Sequence, residues 1–380
     1  MEDIFVYPLK NSDEYKEIVN SICNKKGSLQ LNGLLAMQKP HITYSIFKEL
    51  SRPTLFIANN DLEAKKVYNE LRFYTKDKVE YLSTDEIYFY HLDAKDRNEE
   101  AKKLRVLLKL AKKQKTIVVA SIDAVLKKYI PKNVLLDNVL TYKIGDTIDL
   151  EVLSEKLVKL GYERVSRIEG LGQFSVRGGI IDVYSLEYTH PIRIELFDDE
   201  IDSIRTFDVF SQKSIDKIKK VVITPSREFI YPEDTSSAVK KIKEETNQYT
   251  DDDVFNNIDN IANKTYFQGV ENYIDYLYED ANKSLFTYLP ENAIIIMNDI
   301  SRLKERCQNY LNEFKDNYKL NLERGLAIKN QGNLLYTYED LPFLIDDKKL
   351  IINSLLPKPV NDFSVTNIIN FESREIPTYN

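Results

Sequence analysis

The stretch 174–215, FSVRGGIIDVYSLEYTHPIRIELFDDEIDSIRTFDVFSQKSI, constrains the fold of this chain more than any other segment. Phe174 and Val176 alternate with Ser175 and Arg177, the period-two pattern of a half-buried strand. The alternation turns Phe174 and Val176 to a core and Ser175 and Arg177 to solvent. Gly178-Gly179 then allows a tight bend or bulge that side chains would obstruct. Residues 180–184 read as a second strand. A third carries Ile192, Ile194 and Leu196 inward, with Arg193 and Glu195 on its polar face. Asp198-Asp199 has turn chemistry, and 200–207 returns as a fourth strand. Antiparallel neighbours with short connections are the simplest topology for such a run. On pattern alone, Arg177 is one more solvated charge on a sheet.

The rest of the chain reads differently. A length of 380 residues suggests two or three domains. Residues 1–130 alternate strands and helices. A strand at 54–58 precedes a helix that Asn60 or Asp61 can cap, with Leu62, Val67 and Leu71 toward the core. Strands at 79–82 and 117–120 follow, with helices at 98–112 and 124–128. Such alternation implies a parallel sheet covered by helices. After Pro131 the pattern changes. Asp149 caps a helix with Leu150, Leu153, Leu157 and Leu160 on one stripe, and Gly161 ends it in the left-handed region. From Val221 the α/β character resumes, with strands at 221–224 and 293–297 and helices at 271–280 and from Asp299 to about Phe314. The expected organisation is therefore an α/β domain built from 1–130 and 223–350. An inserted α+β domain at 131–222 interrupts it, and 351–380 form a linker toward further domains of a longer protein.

Composition excludes several classes. With 43% hydrophobic and 30% charged residues the chain is an ordinary globular one. No run of 18 apolar residues exists to span a membrane, and the start lacks the basic and apolar regions of a secretory signal. Cys23 and Cys307 show no ligand spacing and fit buried thiols in a reducing cytosol. His41, His91 and His190 stand alone, so no metal and no cofactor are expected. A net charge of −7 argues against duplex binding by backbone neutralisation, though it leaves a local basic patch open.

Residues 162–215, with PSREF at 225–229, resemble the UvrB-homology module shared by two bacterial DNA-repair families, UvrB and the transcription-repair coupling factors. The resemblance rests on VRG before an Ile/Asp strand, then P-x-RIE-x-F-x-DEI-x-SIR-x-FD-x-x-SQ at fixed offsets. It extends more weakly over residues 1–350, and 369–380 resemble the passage by which the coupling factors leave this module. The resemblance implies a degenerate RecA-like, P-loop-type parallel-sheet domain interrupted by an α+β domain that docks UvrA. For a full-length coupling factor it also implies a cytoplasmic protein with RNA polymerase and DNA as partners. A C-terminal domain would cover the UvrA site, and a C-terminal motor would carry the ATP-dependent translocation.

A phosphate-cradling loop needs G-x-x-x-x-G-K-S/T between strand and helix. The corresponding place here is Gly33-Leu34-Leu35-Ala36-Met37-Gln38-Lys39-Pro40. Gly33 and Lys39 survive, the second glycine does not, and Pro40 replaces the hydroxyl and removes an N–H. The acidic pair that would hold a metal is Asn298-Asp299, with Asp299 free to cap the next helix. Gly33, Lys39, Asn298 and Asp299 are thus expected to mark a nucleotide site that does not function. The aromatic DNA-inserting hairpin of UvrB is also reduced here. Tyr88, Phe89 and Tyr90 read as core or loop anchors, and the basic helix 102–115 as a solvated face over Leu104, Leu107, Leu108 and Leu110.

What the resemblance leaves is a binding module. Carried over position by position, UvrA contacts fall on Arg177 and Arg164. Ser175 stands where UvrB has an arginine, and Arg167 is a nearby substitute. Phe174, Val176, Gly178 and Gly179 support the docking strand. Two other readings remain: a UvrB-type ATP-dependent DNA-unwinding enzyme, and a purely structural or autoinhibitory module.

Overall fold

The computed structural model describes residues 3–24, 27–89, 97–345 and 348–372. Tyr90, His91 and the last part of the terminal stretch, 373–380, lie outside the described residues. Along the chain come β1 (Ser28–Asn32), β2 (Thr54–Ala58), β3 (Val79–Leu82) and β4 (Ile117–Ser121). The inserted segment supplies β5 (Leu140–Lys143), β6 (Glu163–Arg164), β7 (Gln173–Arg177) and β8 (Ile180–Val183). It continues with β9 (Ile192–Phe197), β10 (Glu200–Phe207), β11 (Ser214–Lys217) and β12 (Lys220–Ile223). After it come β13 (Ile294–Met297), β14 (Lys349–Ser354) and β15 (Val365–Asn370).

The α/β part is one parallel sheet in the order β15-β1-β14-β13-β2-β4-β3. Both of its faces are covered. Leu55, Ile57, Val118, Ile295 and Ile352 join one core, and Phe56, Ala58, Val119, Ile296 and Ile351 the other. Burial on both faces is why these strands read as continuous apolar runs rather than as alternations. The Asn60 side chain caps the helix Asp61–Thr75 by accepting the Glu63 N–H. Its buried stripe is Ala64, Val67 and Leu71, whereas Leu62, expected inside, stands in the first turn and is exposed. On the helix Arg97–Ala111, Leu104, Leu107, Leu108 and Leu110 are buried as the pattern required.

Several expectations are corrected. The presumed linker begins inside β14, which buries Leu350, Ile351 and Ile352 between β1 and β13, and β15 pairs β1 on its other side. Without them β1 would have no partner on either edge. The helix expected over 271–280 is two short turns, Val270–Tyr273 and Ile274–Leu277. The helix after β13 runs longer than expected, Ile300–Glu323. Cys307 is buried, and burial pushes its thiol up to about 12, but Cys23 is exposed.

The insert is a six-stranded sheet in the order β11-β10-β9-β8-β7-β6, antiparallel except where β6 joins β7. The helix Leu150–Lys159 covers its inner face, and Asp149 caps that helix by accepting the Glu151 and Val152 N–H groups. Leu153, Leu157 and Leu160 meet Phe174, Ile181, Ile192, Ile194 and Ile204 in a separate core. Val221 and Ile223 belong to that same core, because β12 pairs with β5. The strand expected to restart the α/β domain thus completes the insert.

The exit of the insert is bolted to the α/β domain. Arg227 donates to Glu100 at 3.0 Å and lies 4.1 Å over the Tyr266 ring. The Glu228 N–H donates to the other Glu100 oxygen at 3.1 Å. Arg105 donates to the Leu186 carbonyl at 2.7 Å. Among the described residues no helix is long and apolar enough to cross a membrane, and no group of His, Cys, Asp and Glu could hold a metal.

Candidate functional site

The β7–β8 hairpin pairs Arg177 with Ile180 around Gly178-Gly179. Gly178 sits at φ +56°, in the left-handed region. At Gly179 an added Cβ would lie 3.2 Å from the Leu196 carbonyl, and the Leu196 N–H donates to the Gly179 carbonyl at 2.8 Å. The second glycine therefore lets β9 approach the turn. Phe174 is fully buried beneath this hairpin and Val176 half-buried. Arg177 is exposed and its side chain makes no hydrogen bond or ion pair among the described residues. Arg164, on β6 beside β7, is exposed and unpaired in the same sense.

Ser175 departs from the expectation. The alternation puts it on the outer face, but that face is not open to solvent there. Cross-strand register sets Ser175 beside Asp182, Asp182 beside Arg193, and Arg193 beside Arg205. Asp182 is buried, and Arg193 grips both its carboxylate oxygens, Nε at 2.7 Å and Nη2 at 2.8 Å. The Arg193 guanidinium also lies 4.5 Å from the Phe207 ring and donates to Gln212 Oε1 at 3.1 Å. Next to it, Glu195 accepts from Ser203 and Arg205. The loop 208–213 leans on this row through Gln212, and Ser175 is buried with its hydroxyl unpartnered. An arginine at 175 would meet an Asp182 whose two oxygens both already accept from Arg193.

Arg167 is exposed but engaged, donating to the carbonyls of Val209 and Phe210 at 3.2 and 3.0 Å. It holds a loop rather than offering a free guanidinium. Sequence reasoning passed over that loop and two phenylalanines, Phe197, 81% exposed, and Phe210, 88% exposed. The offsets of RIE and FD-x-x-SQ were visible, but that they join across strands needs the register.

At the C-terminal edge of the parallel sheet, the loop after β1 and the turn after β13 do come together. Gly33 is at φ +78°, and an added Cβ would lie 2.5 Å from the Phe371 carbonyl. Its glycine is thus required by the chain's own backbone. Two of the loop's donors are spoken for: the Gly33 N–H goes to the Ser354 carbonyl and the Leu35 N–H to Gln38 Oε1, at 3.0 and 2.9 Å. Leu34 is buried, Met37 is 81% exposed, and Pro40 occupies the first turn of the helix Gln38–Leu50. Burial lowers the Lys39 pKa, against the pull of Glu63 and Asp299. Asn298 donates to Glu63 at 2.7 Å. Asp299 stands at the N-cap position but makes no capping bond; at φ +51° its carboxylate pairs with Arg302 at 3.4 Å. The cap expected of it is therefore absent, because that backbone directs the side chain away from the free N–H groups.

Fold and face together define a RecA-like parallel-sheet domain carrying an antiparallel insert with an exposed, arginine-bearing hairpin. Residues 140–229 match the family model of the UvrB interaction domain. Over 386 residues the chain is 28% identical to the transcription-repair-coupling factor of Bacillus subtilis (strain 168), covering 98% of this chain and 32% of that protein. It is 27% identical to that of Staphylococcus aureus (strain USA300) over 392 residues, with 98% and 32% covered. For Staphylococcus epidermidis the identity is 27% over 365 residues, with 93% of this chain and 31% of that protein covered. The chain thus spans about a third of the length of these relatives. The matches support an N-terminal UvrB-homology module of the coupling-factor type.

Proposed function

We propose that this chain is a non-catalytic module that recruits UvrA and so links a stalled RNA polymerase to nucleotide excision repair in the cytoplasm. The observation that carries the reading is Arg177, exposed and unpaired on a hairpin whose inner face is core, within a matched UvrB interaction domain. A forked guanidinium on a rigid strand suits a carboxylate on a partner. The test sets UvrA affinity beside melting temperature. Arg177→Ala should melt within a degree or two of wild type, since surface changes cost about half a kcal/mol or less. It should weaken UvrA binding by roughly 1–3 kcal/mol. Phe174→Ala should instead cost roughly 3–5 kcal/mol of stability. An Arg177→Ala variant that binds UvrA as well as wild type removes the proposed surface.

The UvrB-type enzyme reading is opposed by the loop after β1, whose N–H groups at Gly33 and Leu35 are taken and whose glycine abuts Phe371. Calorimetry with Mg-ATP should give no saturable heat; a micromolar dissociation constant would restore that reading. Duplex DNA is a poor partner for the basic helix, because Lys103, Lys109 and Lys112 pair with Asp85, Glu80 and Glu187. In the full-length protein a C-terminal domain would cover the UvrA face, so recruitment and autoinhibition share one surface. Weaker UvrA binding by the full-length protein than by this chain would support that arrangement.

A further inference from the structure

We propose that Phe210 is an aromatic anchor of the partner-docking face and that Arg167 is the positioning residue that presents it. The inference rests on the UvrA-docking reading and deepens it. Phe210 projects into solvent from the loop between β10 and β11, with 88% of its surface exposed. A large apolar side chain held so far out has a cost in water and is enriched where partners dock. The loop that carries it is not free to fold the ring back. Asp208 accepts from the Ser211 N–H and hydroxyl, both at 2.8 Å, and its own N–H donates to the Lys213 carbonyl at 2.9 Å. Gln212 donates from its amide to the Val209 carbonyl at 2.8 Å and receives Arg193 from the sheet below. Arg167 closes the other side through the carbonyls of Val209 and Phe210.

The loop lies on the outer-face row that contains Ser175, and Arg177 is the next outward residue on the same strand, roughly 7 Å further along. Phe210 and Arg177 are therefore continuous parts of one face. Arg177 and Arg164 have no acidic partner among the described residues, although the chain as a whole is at −7. The partner surface that fits is acidic and holds an apolar pocket, with the aromatic ring supplying desolvated contact and the arginines orientation. A preorganised loop reduces the ordering cost of that contact.

The test uses purified UvrA as the probe and measures its affinity for this chain by biolayer interferometry, with melting temperatures alongside. Phe210→Ala should bind about 10- to 100-fold more weakly with an unchanged melting temperature, and Phe210→Leu should recover part of the loss. Arg167→Ala should weaken binding about three- to tenfold in the wild-type background and have no added effect in Phe210→Ala, because its role passes through the ring. Phe210→Ala binding within about twofold of wild type, while Arg177→Ala is weakened, would overturn the anchor and leave the docking reading standing. Equal loss from Arg167→Ala in both backgrounds would make Arg167 a direct contact and overturn its positioning role. Absence of UvrA binding by the wild-type chain would overturn both the anchor and the docking reading.

Discussion

Removing the Asp182 carboxylate should open the insert from its outer face. The pair it forms with Arg193 is bidentate, at 2.7 and 2.8 Å, with side-chain exposures of 4% and 17%. Breaking a fully buried pair by deleting one partner costs about 3–5 kcal/mol, because the other charge is left desolvated. Here Arg193 would keep Gln212, the Phe207 ring and a little water. The cost of Asp182→Ala should therefore fall to about 2–4 kcal/mol. Asp182→Asn should recover little, since an amide offers one acceptor to two guanidinium donors and turns its own N–H₂ toward the second. The direct assay is hydrogen exchange at the β8 and β9 amides, where that loss corresponds to roughly 30- to 700-fold faster exchange. Salt at about 1 M should not mimic it in the wild type, because buried pairs are screened weakly. A double variant, Asp182→Leu with Arg193→Met, should restore most of the protection. Exchange in Asp182→Ala within about fivefold of wild type would refute the claim that this pair holds the outer face.

Two further outcomes follow from close contacts and ion pairs. Gly33→Ala should lower the unfolding free energy measured by denaturant titration by more than the roughly 1 kcal/mol ordinary for a left-handed position, because its Cβ would collide with the Phe371 carbonyl; a neutral result would mean that β15 can shift. Asp362 is held below the usual carboxylate pKa by its bond to Lys304, with Tyr338 also donating to it. Its stabilising contribution is present above the unfolded value and lost as pH falls through the folded one, so Asp362→Asn should flatten the stability profile below about pH 4. Parallel acid-titration curves for the variant and the wild type would contradict this.

The insert was the most legible part of the sequence. Its strands alternate because one face is core, its helix carries both an N-cap at Asp149 and a left-handed Gly161, and its turns are short. The α/β sheet was half legible. The apolar run of β2 stood out, whereas β1, with Gln30 and Asn32 inside it, did not; both side chains are buried, Gln30 donating to Asn32 and to the Lys358 carbonyl and Asn32 to Asn370 on β15. Nor did local pattern reveal that 349–354 and 365–370 return to β1, since that pairing is set by contacts more than 300 residues apart in sequence. On the outer face of the insert, Arg177 stands exposed as the alternation led one to expect, and Arg164 is exposed on the neighbouring strand. Ser175 misled for a specific reason: period two tells which face a residue is on, not whether a distant loop has covered that face.

Because β1 is flanked only by β14 and β15, the host domain closes late in synthesis. At translation rates of about 5–20 residues per second, residues 28–32 wait roughly 15–60 s before either neighbour leaves the ribosome. The insert meets no such delay, since β5 to β12 pair among themselves within 140–223. Local contacts form fast and long-range parallel ones slowly. The order of assembly therefore runs opposite to the order of the chain: the sheets of the insert are complete while the first strand of their own support is still unpaired. In that interval the nascent protein displays a bare pair of strand edges, a window in which a chaperone or a wrong strand would meet β1 first.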